Sequence, residues 1–509
     1  MSARTCGILL HPTSLPGRFP IGDLGPAAHA FAGFLRRAGQ RWWQMLPLGP
    51  IDEHDSPYKS SSTFAGNILL ISPERLVADG FLRARDLPRG ARASALVDYP
   101  GAARQKRRLL EKAYAAFAAS PGDGPWRRAC AAFHARERAW LDDFALFTAL
   151  SEHQRSDDWT RWSPGLRRRA PAALARARRD RAAAIGLHVF LQWQFAEQWR
   201  ALRERCAACG VQLIGDMPFF VAHRSAEVWA RQELFQLDHA GRPRAVAGVP
   251  PDAFAPGGQV WNVPLYAWPA MRRERFAWWT QRLRALAERV DLIRLDHFLG
   301  LTRTFDVPAG DATAVRGRYH PSPGAALLRA VRAELVHLPL IAEDLGVVTP
   351  QVRALIRDQR IPGMRVLQFE LMGALDGGRL PGARALARSV MYTGTHDNDT
   401  TQGWFQGLGP TARRRARAFL PNRWRPFAWA AMAHVLAGPS RLAIVPMQDV
   451  LALGSAARMN VPGSARGNWR WRMVPGEAST GVAKRLRKLV EETGRGKPEA
   501  IGARPMRNR

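Results

Sequence analysis

Three short apolar segments of this chain each run into a carboxylate: Asp291-Leu-Ile-Arg-Leu-Asp296-His297, Pro339-Leu-Ile-Ala-Glu343-Asp344 and Ser389-Val-Met-Tyr-Thr-Gly-Thr-His396-Asp397. A β-strand covered on both faces reads as a continuous apolar run, and an acid within it would be buried without compensation. At the end of the run the acid can project into a cleft instead. Strand ends that repeatedly carry acids are how a parallel (β/α)8 barrel builds an active site from several strands. The pattern points to a closed parallel sheet with its chemistry gathered at one end.

Apolar runs separated by helical patterns give eight strand candidates: residues 7–11, 42–48, 211–217, 291–296, 338–343, 364–369, 390–394 and 442–447. Before the third, Leu191, Phe195, Trp199, Leu202 and Cys206 recur at helical spacing; before the fourth, Phe276, Trp279, Leu283, Leu286 and Val290 do the same. Alternating strand and helix units imply a parallel sheet, and eight of them imply closure. The fold class expected is therefore α/β, a (β/α)8 TIM barrel with helical and loop insertions. An open doubly wound sheet is the alternative, but no Gly-rich dinucleotide fingerprint follows the first strand.

The interval 74–185 breaks this rhythm, being Ala/Arg-rich and helical in pattern, with Pro/Gly punctuation at residues 121–125 and 163–165. It reads as a helical insertion into a discontinuous barrel made of residues 1–73 and 186–493. Residues 232–271, rich in Pro, Gly and aromatics, read as a loop insertion over the active site. Residues 494–509 read as a disordered tail.

Charge sets a possible conflict with this picture. The net charge of +32 suits a polyanion partner, yet only six of the 75 basic residues are lysines and the arginines are spread along the chain. That distribution favours solvated helix faces, and no specific nucleic-acid partner is expected. No apolar stretch reaches the ~18 residues of a membrane span, and the run Gly7-Ile8-Leu9-Leu10 is too short for a signal segment. Four cysteines in 509 residues suit a reducing compartment, so a cytoplasmic location is expected. Cys206 and Cys209 have CxxC spacing but no second pair, and read as small buried residues. Most of the 18 tryptophans read as core; Trp261, in the proposed loop, is the one expected to stack on a ligand.

The acids themselves suggest glycosidic-bond chemistry. Retention at an anomeric carbon needs two carboxyl groups ~5–5.5 Å apart, one attacking and one exchanging the proton. Asp296 suits the nucleophile, because Arg294 lies two residues back on the same strand face and favours its ionised form. Glu343 suits the acid/base, with a longer arm and neighbouring carboxylates that raise its pKa. Asp397, with His396, suits a third role of holding sugar hydroxyls. Asp216, in Ile214-Gly-Asp-Met-Pro218, is a fourth acid expected at a strand end.

An ordered set of motifs then adds a resemblance. Asp55-Ser-Pro-Tyr-Lys-Ser60, Gly215-Asp-Met-Pro-Phe-Phe-Val221, Arg294-Leu-Asp-His297, Ala342-Glu-Asp-Leu-Gly346, Tyr392-Thr-Gly-Thr-His-Asp-Asn-Asp399 and Arg458-Met-Asn-Val-Pro-Gly463 together resemble the 4-α-glucanotransferases, or amylomaltases, of the α-amylase superfamily. The resemblance implies a nucleophile at Asp296, an acid/base at Glu343 and a transition-state stabiliser at Asp397. It implies substrate contacts from Ser56, Tyr58, Asp216, Asp252, Trp261, Arg294 and His396. It further implies no cofactor, no metal, no C-terminal β-sandwich, and a maltooligosaccharide or α-glucan donor with a sugar acceptor. The chain differs from the family pattern at Ala253, at Asn262-Val263 and through residues 371–388, positions that bear on acceptor choice rather than bond cleavage. An α-glucan hydrolase on the same barrel and a catalytically silent glucan-binding protein are the competing readings.

Overall fold

The strand signals resolve into two sheets. The computed structural model describes residues 4–90, 94–251, 256–421, 424–464 and 466–496. Its strands, in chain order, are β1 (Thr5–Leu9), β2 (Trp42–Gln44), β3 (Gln212–Met217), β4 (Ala245–Val249), β5 (Gln259–Pro264), β6 (Leu292–Leu295), β7 (Arg303–Pro308), β8 (Arg318–Pro321), β9 (Leu340–Ala342), β10 (Gly363–Val366), β11 (Ser389–Tyr392) and β12 (Leu442–Pro446). β1, β2, β3, β6, β9, β10, β11 and β12 pair in parallel in that order, and β12 returns to β1 to close the barrel. These are the eight expected strands.

Several end sooner than their apolar runs. Residues 367–369 already belong to the helix Leu367–Leu375, and the chain leaves β2 at Gln44 ahead of Pro47. A short apolar run does not distinguish a buried strand from the first turn of a buried helix. The shortening decides where the acids stand. Asp296 and Glu343 directly follow β6 and β9, and Asp397 lies in the loop after β11. Asp216 is not at a strand end: it lies inside β3, in register with Arg294 of β6.

Residues 232–271, expected as a loop insertion, carry the strands β4 and β5. β4 and β5 pair antiparallel, β4 pairs with β7, and β7 with β8, giving a second sheet in the order β5-β4-β7-β8. Its two antiparallel pairs, β4 with β5 and β7 with β8, join through β4 and β7 across β6, so no local signal united them. Gly248 in β4 permits the close approach of β5, since a Cβ there would collide with the Gln259 carbonyl.

Between β2 and β3 the helices Tyr99–Ala118, Pro125–Gln154, Pro171–Asp180 and Ala182–Ala208 follow one another. Asp98 caps the first through the Gly101 amide, and Pro125 and Pro171 open the next two at a position that needs no N–H. The boundary expected at 185 falls within the helix Ala182–Ala208, which serves both parts of the molecule. Phe190 and Trp193 pack on Phe117, while Gln192 binds both the amide and carbonyl of Gly66, and Trp199 donates to the Arg289 carbonyl. A second tie is buried Lys106, whose Nζ lies 2.7 Å from Asp23 and donates to the carbonyls of Leu69 and Ile71. Barrel and helical residues share one apolar core.

The ordered chain also runs past Gly494, where a tail was expected. Arg495 is buried and donates to the carbonyls of Leu436, Thr5 and Gly438. Residues 497–509 lie outside the described residues. Among the described residues no strand follows β12, and no helix is long and apolar enough to cross a membrane. All four cysteines are buried and free, the Cys206/Cys209 pair included.

Candidate active site

Because the barrel strands are parallel, the residues that follow β6, β9 and β11 emerge on one side, at the C-terminal ends. There they line a cleft of about 760 Å³ that includes Ser56, Tyr58, Trp261, Arg294, Asp296, Glu343, His396 and Asp397. Asp252 falls outside the described residues. Asp216 is absent from the lining.

Register explains that last result. Asp216 and Arg294 occupy paired positions on β3 and β6, and their side chains meet inside the barrel. Nη1 of Arg294 lies 2.7 Å from both oxygens of Asp216, and Tyr58 donates its hydroxyl to Oδ2 at 2.8 Å. The same Nη1 reaches Oδ1 of Asp296 at 3.1 Å. The Asp216 side chain is 0% exposed and that of Asp296 28% exposed, so only the second can meet a ligand directly. Burial opposes charge on Arg294, but Asp216 and Asp296 outweigh it and hold the guanidinium well above its usual range. Asp216 anchors the arginine that faces Asp296, and it stands behind Arg294 rather than in the cleft lining.

Glu343 stands across from this group on the next strand, since the β6–β9 register carries Leu295 opposite Ala342. Its Oε2 accepts from the His297 amide and its Oε1 from the Leu345 amide, both at 2.8 Å. Burial first, and the Asp296 charge second, push its carboxyl up to about 8, against the opposing pull of Arg294 and the two amides. His297 adopts a left-handed conformation (φ 48°), which turns its amide toward Glu343. Two neighbouring carboxyls therefore differ in setting: Asp296 stands beside a fixed cation, while Glu343 is buried and keeps its proton at neutral pH.

Asp397 accepts from Asn460 Nδ2 at 2.6 Å and lies 3.4 Å from His396 Nε2. Arg458 holds the Asp397 carbonyl at 2.7 Å, fixing the loop. The Tyr58 ring stacks on His396 with centroids 5.1 Å apart, and Trp469 lies 5.6 Å from Tyr58. Trp261, a residue of β5 rather than a loop, sets its ring edge-on to His297 at 4.9 Å. Among the described residues, no group of three or more His, Cys, Asp or Glu side chains could hold a metal ion.

Residues 10–477 match the profile of a family described as 4-alpha-glucanotransferase. The chain is 45% identical to the 4-alpha-glucanotransferase of Thermus thermophilus, over 97% of this chain and 99% of the relative. The chain belongs to the 4-alpha-glucanotransferase family. The Solanum tuberosum chloroplastic/amyloplastic 4-alpha-glucanotransferase is 37% identical over 97% of this chain and 86% of its own. Among solved structures, the amylomaltase from Streptococcus agalactiae in complex with acarbose superposes with a TM-score of 0.92 at 34% identity, covering 97% of this chain and 100% of that one. As a 4-alpha-glucanotransferase, the chain transfers α-1,4-glucan segments, and it does so on an eight-stranded parallel barrel.

Three groups at this transferase site were not singled out in the sequence: Asn460, His297 and Trp469. Asn460 was legible in principle, because it sits in the Arg458-Met-Asn-Val-Pro-Gly463 motif. His297 likewise sits in the Arg294-Leu-Asp-His297 motif, whereas Trp469 carried no signal of its own. Their positions depend on backbone turns, both residues having positive φ.

Proposed function

We propose that Asp296 is the nucleophile, Glu343 the general acid/base and Asp397 the group that holds sugar hydroxyls in the transfer of an α-1,4-glucan. The Asp296 carboxylate attacks the anomeric carbon while Glu343 gives its proton to the departing 4-oxygen, leaving a glucosyl ester on Asp296. The 4-hydroxyl of an acceptor sugar then attacks that carbon, Glu343 takes its proton, and Asp296 leaves as the carboxylate. Two inversions give net retention, with no cofactor in the balance.

The observation that carries this reading is the contrast between neighbouring acids: Asp296 stands 3.1 Å from Arg294, while Glu343 is pushed up to about 8. The contrast also supports the second step. Part of the upward push on Glu343 is the Asp296 charge, which esterification removes, so the same carboxyl ionises more readily when a base is needed. Asp216 acts as a positioning residue through Arg294, and Tyr58, Trp261, Ser56 and His396 bound the space for the sugar rings.

The donor is a maltooligosaccharide or longer α-glucan and the acceptor a sugar with a free 4-hydroxyl. The acarbose bound by the Streptococcus agalactiae amylomaltase supports a glucan-like ligand. The four free cysteines support a cytoplasmic location. Incubation with maltotriose tests the reading: glucose plus a ladder of longer oligomers is expected. Glucose and maltose alone would mean hydrolysis, and binding without product would mean a silent glucan-binding protein.

A further inference from the structure

A second cavity, of about 690 Å³, lies on the antiparallel sheet and shares no lining residue with the catalytic cleft. Strand alternation defines its floor, since residues paired across antiparallel strands point to the same face. Thr304 pairs with His320, Asp306 with Arg318, and Ala245 with Pro308. The intervening Val246, Phe305 and Val307 turn to the other face and form a small apolar cluster. The small side chain of Ala245 leaves depth in the floor, and Trp268 contributes an aromatic wall.

Charge in this cavity is unevenly matched. Arg316 pairs with Asp311. Both oxygens of Asp306 are engaged, Oδ1 by the Thr304 hydroxyl at 2.6 Å and Oδ2 by His320 Nδ1 at 2.9 Å. Arg244 and Arg318 also line the cavity, and among the described residues neither has a carboxylate partner. Among the described residues Asp306 is the one carboxylate of this lining and its oxygens are already engaged, so the two guanidiniums leave a positive excess that favours an anion, and their forked donors match the oxygens of a phosphate. The Trp268 ring and the faces of Pro308 and Pro321 offer apolar surface of the kind that packs on a sugar ring. A neutral glucan leaves the arginine charge unanswered, and a bare anion leaves the aromatic wall unused.

We propose that this cavity binds a hexose phosphate, with the phosphate between Arg244 and Arg318 and the sugar ring against Trp268. The site is separate from the transfer chemistry, and neither arginine belongs to the catalytic cleft.

Calorimetric titration of the full chain with glucose 6-phosphate, inorganic phosphate and maltotriose tests this at fixed ionic strength. Glucose 6-phosphate should bind saturably, at least about tenfold more tightly than inorganic phosphate, and binding should persist when maltotriose fills the catalytic cleft. The double substitution Arg244→Ala/Arg318→Ala should weaken it at least about tenfold with maltotriose transfer retained, which also reports that the variant is folded. Trp268→Ala should weaken glucose 6-phosphate and leave inorganic phosphate unchanged. Arg318→Glu is a second test of the same charge, with loss of binding expected. Displacement by maltotriose, equal affinity for inorganic phosphate, undiminished binding in the double variant, or no saturable binding would each overturn the assignment.

Discussion

Arg294 is held between two acids, with Nη1 2.7 Å from Asp216 and 3.1 Å from Asp296. Asp216 is sealed in the barrel and Asp296 opens to the cleft, so one acid anchors the cation that the other uses. Removing Asp216 leaves a buried guanidinium with half its counter-charge. Asp216→Ala should cost about 3–5 kcal/mol in chemical denaturation. Arg294→Lys keeps the charge but loses the planar fork, and should lower the transfer rate by about 10²–10³-fold with a smaller loss of stability.

The carboxyl of Glu343, pushed up to about 8, sets the alkaline limb of the reaction. The first step needs its proton, so the transfer rate should fall as pH rises through that value, and Glu343→Gln should lose both the activity and the limb. Stability has a definite sign as well. A carboxyl whose folded value lies above its ordinary 4.5 binds its proton more tightly in the folded state. Its contribution is full below that ordinary value and is lost as pH rises toward about 8. Glu343→Gln should therefore raise the melting temperature, relative to the parent, more at about pH 9 than at about pH 5.

Lys106 and Asp23 join the helical insertion to the barrel through a buried pair. Burial pushes the Lys106 ammonium down, and Asp23 with the Leu69 and Ile71 carbonyls offsets that cost. Lys106→Ala should destabilise by about 3–5 kcal/mol, because Asp23 stays buried without its cation. The double change Lys106→Met/Asp23→Leu should cost less than the single one, as a denaturation cycle would measure.

Trp261 closes the cleft wall beside His297. Transfer requires an acceptor sugar to outcompete water at the glucosyl intermediate, and this ring both packs a sugar and excludes solvent. Trp261→Ala should raise the ratio of hydrolysis to transfer by about three- to tenfold, read from released glucose against oligomer length.

Much of this architecture was legible locally. The barrel strands are apolar runs, most of them separated by helical stretches, and Asp296 and Glu343 sit where such runs stop. Arg294 and Asp296 share a face because strand side chains alternate, a relation that needs no knowledge of the fold. The second sheet was not legible as a unit, since its two halves join through β4 and β7 across an entire barrel strand. Asp216 looked like the other acids, yet barrel registry set it beside Arg294, where it is sealed by the guanidinium and the Tyr58 hydroxyl.

The sequence by itself determined the strands, the chemistry at their ends and the family, because periodicity and residue type act over a few positions. Tertiary structure alone decided which acid opens to the cleft and which is sealed against the arginine. It also decided that Glu343 keeps its proton, because burial and the approach of Asp296 exist only once β6 and β9 lie side by side.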